Sequence, residues 1–189
     1  AEAYVSLAAN DFSETRSLRA IELIGPHIVP YYHDRSVLEH ADALCKGSMY
    51  AGIAWNNSFV AQIHASNHPI TELLHIPHGE ACAILFPPFV EYNGEACREK
   101  FRKVHNLMYP DAWLGREAFE PGILVHKLVQ LNRDLNIMDG KSMADYGGTE
   151  ELVDRMVAEF SEDLYTYPRK TTKADLKDMY MRVMRGEYL

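Results

Sequence analysis

The stretch AGIAWNNSFVAQIHASNHPITELLHIPHGEACAILFPPFVEYN, residues 51–93, contains four of the nine histidines of the chain. They are His64, His68, His75 and His78. His64 and His68 are four residues apart, so on a helix their rings share one face. Pro77 favours a helix start beside His78, where the helix dipole favours a neutral imidazole. The spacing indicates two helix ends that meet at a small polar site, able to bind a metal ion or transfer protons.

Pro69 predicts the end of the first of these helices. Proline lacks a backbone donor and restricts the residue before it, so we expect a helix over 57–68 that ends at His68. The imidazole of His68 would then lie at a helix end and face a cavity. The second helix is expected over 77–86.

The rest of the chain also has helical periodicity, and alternating strand patterns are nearly absent. Apolar residues recur at intervals of three or four between 13 and 31, and Asp34 is a plausible N-cap for the following helix. Further helices are expected, with Thr149 and Thr172 as caps of the last two. Their ranges are 94–108, 117–136, 149–161 and 172–185. The prediction is an all-α, multi-helix single domain over 1–189, with one long loop over 139–148.

Composition narrows the classes of function. Hydrophobic residues make up 47% of the 189 positions and charged residues 24%, which is typical of a globular domain. The formal net charge is −8 and there is no basic stripe, which argues against nucleic acid as a partner. No apolar run approaches the roughly 18 residues of a membrane span. Three cysteines without CxxC spacing favour free thiols and a cytoplasmic location.

Residues 51–94 carry a motif that resembles a known family. The pattern is His64-x-x-x-His68-Pro69, then, fourteen residues after His64, the His78 of Pro77-His78-Gly79-Glu80-Ala81. This is similar to the signature of the iron-containing (group III) alcohol dehydrogenases. The resemblance implies the helical C-terminal half shared by dehydroquinate synthase-like and iron-containing alcohol dehydrogenases.

The family resemblance also implies roles for individual residues. His64 and His78 would be metal ligands, and His68 would lie beside the nicotinamide and substrate as a catalytic, proton-relaying group. Trp55, which precedes a pair of asparagines, would border the substrate pocket. The implied cofactors are a divalent metal, with iron expected and zinc possible on grounds of affinity, and NAD(H) or NADP(H). The metal would polarise the oxygen of a small alcohol or aldehyde substrate.

The sequence departs from the family pattern at its beginning. Family members supply two more ligands, an Asp and a His, in a segment resembling D-A-x-x-H-A-x-E-A-Y. This chain begins Ala1-Glu2-Ala3-Tyr4, which resembles the tail of that segment without its two ligands. The Gly-rich N-terminal nucleotide-binding domain is also missing. We therefore expect a C-terminal part of the enzyme that is inactive when isolated.

Other interpretations of the same residues stay open. Without the resemblance, a histidine on an apolar helix face is more often a hydrogen-bonded core residue than a ligand. The chain could be a self-standing, non-catalytic metal-binding or interaction module. It could also be a zinc hydrolase that uses Glu72 or Glu80 as general base, although no HExxH motif is present.

Overall fold

The computed structural model describes residues 1–59, 61–162 and 164–188, and within these ranges all regular secondary structure is helical. The α-helices are α1 (Glu2–Val5), α2 (Asp11–Ile24), α3 (Ile28–His33), α4 (Leu38–Ser58), α5 (Gln62–Leu74), α6 (His78–Asn93), α7 (Arg98–Met108), α8 (Pro121–Asp134), α9 (Glu150–Ala158) and α10 (Lys173–Met184). Short 3₁₀ helices cover Pro110–Ala112, Ile137–Gly140 and Met143–Tyr146. The all-α fold class is confirmed.

The predicted end of a helix at His68 is wrong, because α5 continues through Pro69 to Leu74. The hydroxyl of Tyr180, on α10, donates a hydrogen bond to the carbonyl of Ser66 in the turn that precedes Pro69. Ile70, one residue further on, is fully buried in the core. Contacts from distant parts of the chain therefore outweigh the local cost of a proline inside the helix. The predicted start at 57 is also wrong, and residue 60 lies outside the described residues.

Helix caps were partly predictable. Thr149 and Thr172 each cap the following helix through a side-chain oxygen, as expected. Asp34 is not the cap of α4, since its carboxylate accepts the backbone N–H of Ser36 at 2.9 Å and Val37 occupies the cap position. Asp34 therefore stabilises the turn before the helix rather than the helix itself.

The loop predicted over 139–148 contains regular turns. Two of the 3₁₀ helices overlap it, and Met138 and Asp139 both adopt the left-handed conformation, with φ of 54° and 53°. Such values are uncommon for residues other than glycine. The side chain of Met138 is buried, at 2% exposure, so its packing offsets the strain of the turn.

One hydrophobic core joins helices from both ends of the chain. Its fully buried large side chains include Tyr4 on α1, Ile70 on α5, Phe101 on α7, Leu124 on α8 and Leu176 on α10. Burial of each such side chain contributes about 1.5–3 kcal/mol. The chain thus has a core of its own, and α1 is fixed to it by Tyr4.

Helices α2 and α4 pack closely against one another. Gly47 permits the approach, because a Cβ atom there would lie 2.6 Å from Cγ1 of Ile24. Although α4 has 21 residues, no helix of the described ranges is both long and apolar enough to cross a membrane.

Buried amides connect the two helices that carry the histidine motif. Nδ2 of Asn93, at the end of α6, donates to Oε1 of Gln62 at the start of α5, at 2.7 Å. Gln62 in turn donates to the carbonyl of Arg169 at 3.1 Å and to the hydroxyl of Thr171. These bonds fix α5 and α6 against each other and therefore fix the relative positions of their histidines.

Candidate metal centre

Helices α5 and α6 bring three histidine rings together. His64 and His68 are one turn apart on α5, and His78 is the first residue of α6. The ring centroid of His78 lies 5.5 Å from that of His64 and 5.9 Å from that of His68. His75 is exposed beyond the end of α5, in a left-handed conformation with φ of 55°. The sequence-predicted cluster is thus assembled from His64, His68 and His78.

A carboxylate from α1 orients His64. One oxygen of Glu2 accepts the backbone N–H groups of Ala61 and His64 at 3.0 and 3.2 Å. The other oxygen is bonded to Nδ1 of the His64 ring. Because a carboxylate can only accept, Nδ1 carries the proton, and in the neutral ring Nε2 of His64 keeps its lone pair. Ala61 itself has no side-chain cap, so Glu2 also supplies the N-terminal cap of α5.

Trp55 lies against the cluster from α4. Its ring is stacked on that of His64, with centroids 5.9 Å apart and an interplanar angle of 30°. The side chain stays 48% exposed, so one part of the indole contacts the imidazole and another faces solvent. Trp55 therefore lies beside the histidines, and its place at the edge of a substrate pocket stays a prediction.

Cys82 and Asn67 complete the polar cluster. Sγ of Cys82 lies 3.7 Å from Nε2 of His78, one turn earlier on α6. Nδ2 of Asn67, on α5, lies 2.7 Å from the same sulfur and 3.2 Å from Nδ1 of His78. Burial raises the pKa of the Cys82 thiol to about 11, with the negative charge of Glu2 adding to the effect and the Asn67 hydrogen bond opposing it. The thiol is therefore protonated near neutral pH.

Glu80 bonds to the main chain and not to the histidine cluster. Its carboxylate accepts the backbone N–H of Met138 at 2.7 Å, which attaches α6 to the left-handed turn after α8. A carboxylate engaged with the main chain is poorly available as a general base, so the structure gives no support to a hydrolase that depends on Glu80.

The donor set fits a divalent metal ion. Imidazole nitrogen and cysteine sulfur are the ligands that transition metals of intermediate softness prefer. One such atom each from His64, His78 and Cys82 lies within 4.8 Å of the other two. Among the described residues, His64, His78 and Cys82 are the histidine, cysteine or acidic side chains that lie close enough together to share one ion.

Sequence reasoning missed three residues of this cluster: Glu2, Asn67 and Cys82. For Cys82 a signal was present, since it follows His78 by four residues on one helix and so shares its face. Asn67 follows His64 by three residues and so also shares its face, whereas Glu2 had no such signal. Glu2 lies 62 residues from His64 in the chain, and only the packing of α1 beside α5 brings the two together.

Comparisons with known proteins define the family. A family model described as "Fe-containing alcohol dehydrogenase family, C-terminal" matches residues 1–184. The chain therefore belongs to the iron-containing alcohol dehydrogenase family and corresponds to its C-terminal region.

Curated relatives agree with this assignment. The chain is 30% identical over 184 residues to "Probable alcohol dehydrogenase EutG" of Salmonella typhimurium, a match that covers 95% of this chain and 44% of that protein. It is 28% identical over 183 residues to "1,3-propanediol dehydrogenase" of Citrobacter freundii, covering 95% of this chain and 46% of that protein. The chain spans about half the length of the curated relatives it matches.

Solved structures share the fold. An alcohol dehydrogenase from Oenococcus oeni has a TM-score of 0.84 at 28% identity, over 96% of this chain and 48% of that chain. A 1,3-propanediol oxidoreductase has a TM-score of 0.85 at 26% identity, over 96% of this chain and 48% of that chain.

Proposed function

We propose that residues 1–189 form the C-terminal helical domain of a metal-dependent alcohol dehydrogenase. The complete enzyme would interconvert a small alcohol and its aldehyde or ketone with NAD(H) or NADP(H). The observation that carries the proposal is the convergence of His64, His68 and His78 at the junction of α5 and α6. These are the three histidines of the motif through which the chain resembles the family.

His64 and His78 are the metal ligands in this proposal. The carboxylate of Glu2 supports the role of His64, because it fixes the tautomer that leaves Nε2 free to coordinate. Iron is the metal that the family name implies, and zinc suits the same imidazole donors. When bound, the metal supplies Lewis-acid polarisation of the substrate oxygen.

His68 and Trp55 act on the substrate side of the proposed site. His68 is exposed and its ring is adjacent to that of His78, so it can pass a proton between the substrate hydroxyl and solvent. It would also contact the nicotinamide ring. Trp55 covers one side of His64 and limits the access of water and the size of the substrate.

Nucleotide binding is assigned to a separate N-terminal domain. The chain has no Gly-rich phosphate-binding motif, and its matches cover less than half of each relative described above. Positioning of hydride donor and acceptor needs both domains, so the isolated chain should lack oxidoreductase activity.

The test uses the reading frame extended upstream to include a nucleotide-binding domain. Oxidation of NADH or NADPH with small aldehydes is followed by absorbance, for the extended protein and for the 189-residue chain. The extended protein should turn over, and its His64→Ala and His78→Ala variants should lose most bound metal and nearly all turnover. Normal metal content in both variants would overturn the assignment of His64 and His78 as ligands. Robust turnover by the 189-residue chain would overturn the assignment of nucleotide binding to a separate N-terminal domain.

A self-standing metal-binding or interaction module is the second candidate. It is favoured by the hydrophobic core that the chain buries by itself, which makes an independent folded protein physically reasonable. A reading frame with no nucleotide-binding domain upstream would support this candidate over the enzyme.

A further inference from the structure

We propose that Cys82 is a third metal ligand, beside His64 and His78, so that this chain alone holds a divalent cation of the zinc and cobalt type. The inference rests on the proposed metal site and adds to it a donor from α6. It also specifies the class of metal, since a thiolate ligand disfavours hard cations such as magnesium and calcium.

The distance between donors carries the inference. Two ligands on one tetrahedral zinc, a nitrogen at about 2.05 Å and a sulfur at about 2.3 Å, are separated by about 3.6 Å. Nε2 of His78 and Sγ of Cys82 are 3.7 Å apart. One ion can therefore bind both atoms without a change in the backbone of α6.

The third donor lies within reach of the same ion. The ring of His64 is held with its Nε2 lone pair free, because Nδ1 is bonded to Glu2. Donor atoms of His64, His78 and Cys82 lie within 4.8 Å of one another, so small rotations of side chains suffice to enclose an ion. His78 is exposed, which gives the ion a path from solvent.

One neighbour of the sulfur, Asn67, suits a coordinated thiolate. Asn67 is fully buried, and its Nδ2 can donate to the sulfur at 2.7 Å, as groups behind a metal ligand commonly do. Its Oδ1 is buried with no hydrogen-bond partner among the described residues, which is typical of a position beside a water or an ion.

Coordination involves no change of oxidation state. The S–H bond of Cys82 breaks, its proton passes to the buffer, and a bond forms between sulfur and the cation. The two imidazoles bind as neutral donors. His78 coordinates through Nε2 only when its proton is on Nδ1, so the Nδ2 group of Asn67, 3.2 Å from that nitrogen, must turn away from it when the ion binds. In the 189-residue chain, three protein ligands would leave a fourth position of a tetrahedral ion open to water.

The test is a titration of the 189-residue chain with Co²⁺, followed by absorption spectroscopy. Tetrahedral Co²⁺ absorbs in the visible, and a thiolate ligand adds a charge-transfer band in the near ultraviolet. The chain should show both bands. Cys82→Ser should lose the near-ultraviolet band and bind Co²⁺ more than about tenfold more weakly, whereas the matched control Cys45→Ser, at an exposed position on α4, should keep both bands.

Several outcomes would overturn the role of Cys82. They are the absence of Co²⁺ binding by the chain, visible absorption without the near-ultraviolet band, and persistence of that band in Cys82→Ser. Failure of the broader proposal has a different signature. If His64→Ala and His78→Ala both keep the full visible spectrum, the histidine ligands are wrong as well. If those variants lose it while Cys82→Ser keeps the spectrum unchanged, only the role of Cys82 is wrong.

Discussion

Replacement of Glu2 by Gln should weaken metal binding more than it weakens the fold. The amide keeps one acceptor oxygen, which can still receive the backbone N–H groups of Ala61 and His64. The NH₂ group then faces Nδ1 of His64 and favours the tautomer whose Nε2 carries the proton. In that tautomer Nε2 has no lone pair for a metal ion.

The magnitudes follow from the contacts that are lost. Loss of a residue that orients a ligand typically lowers metal affinity by about 10–100-fold, or about 1.4–2.7 kcal/mol. The cap of α5 is weakened but not removed, so the free energy of unfolding should fall by about 0.5–2 kcal/mol. Glu2→Ala removes both acceptor oxygens, so the backbone N–H groups of Ala61 and His64 lose their partner. Its free energy of unfolding should therefore fall further than that of Glu2→Gln.

Two measurements separate these effects. Urea unfolding in the presence of a chelator gives the stability of the metal-free fold, and competition with a chromophoric chelator gives the affinity for Zn²⁺. Glu14→Gln is the matched control, since Glu14 forms its ion pair with Lys100, at 2.6 Å. That pair is partly exposed, so its loss should cost at most about 1 kcal/mol and leave affinity unchanged. Wild-type Zn²⁺ affinity in Glu2→Gln would refute the orienting role of the carboxylate.

Three further predictions concern single side chains. In the extended enzyme, His68→Ala should keep its metal content near normal while turnover falls by about 10²–10⁴-fold, and His64→Ala should lose the metal. If His68→Ala loses the metal and His64→Ala keeps it, the roles of the two histidines are reversed. Tyr180→Phe should lower the free energy of unfolding by about 1–3 kcal/mol, because the buried carbonyl of Ser66 loses a donor beside the proline of α5; an unchanged urea midpoint would contradict this account. Burial raises the pKa of Tyr109 to about 12, whereas in the unfolded chain the phenol ionises near pH 10. The free energy of unfolding should therefore fall as pH rises from about 10 to 12. Tyr109→Phe should therefore make the pH dependence of unfolding shallower in that window, and an identical dependence would argue against the shift.

Local spacing in the sequence was sufficient for the helical class and for part of the site. The four-residue interval between His64 and His68 fixes them on one face of any helix, whatever surrounds it. The same holds for Thr149 and Thr172, whose side chains reach only their own helix starts. The proline before His78 marked the start of α6 correctly. Each of these features depends on atoms within about one turn of each other.

Tertiary structure decided what the sequence could not. Pro69 stays inside α5, where Tyr180 bonds to a carbonyl 114 residues away in the chain. Glu2 reaches His64 across 62 residues. At Pro69 a local preference competes with buried hydrogen bonds and apolar contacts worth several kcal/mol. In both cases the long-range contacts exist only once distant helices have packed. The sequence by itself indicated the helical class and that His64 and His68 share a face. Hydrogen bonds from Tyr180 on α10 and Glu2 on α1 to α5 formed only with tertiary packing, and they bear on how far that helix extends and which nitrogen of His64 is free.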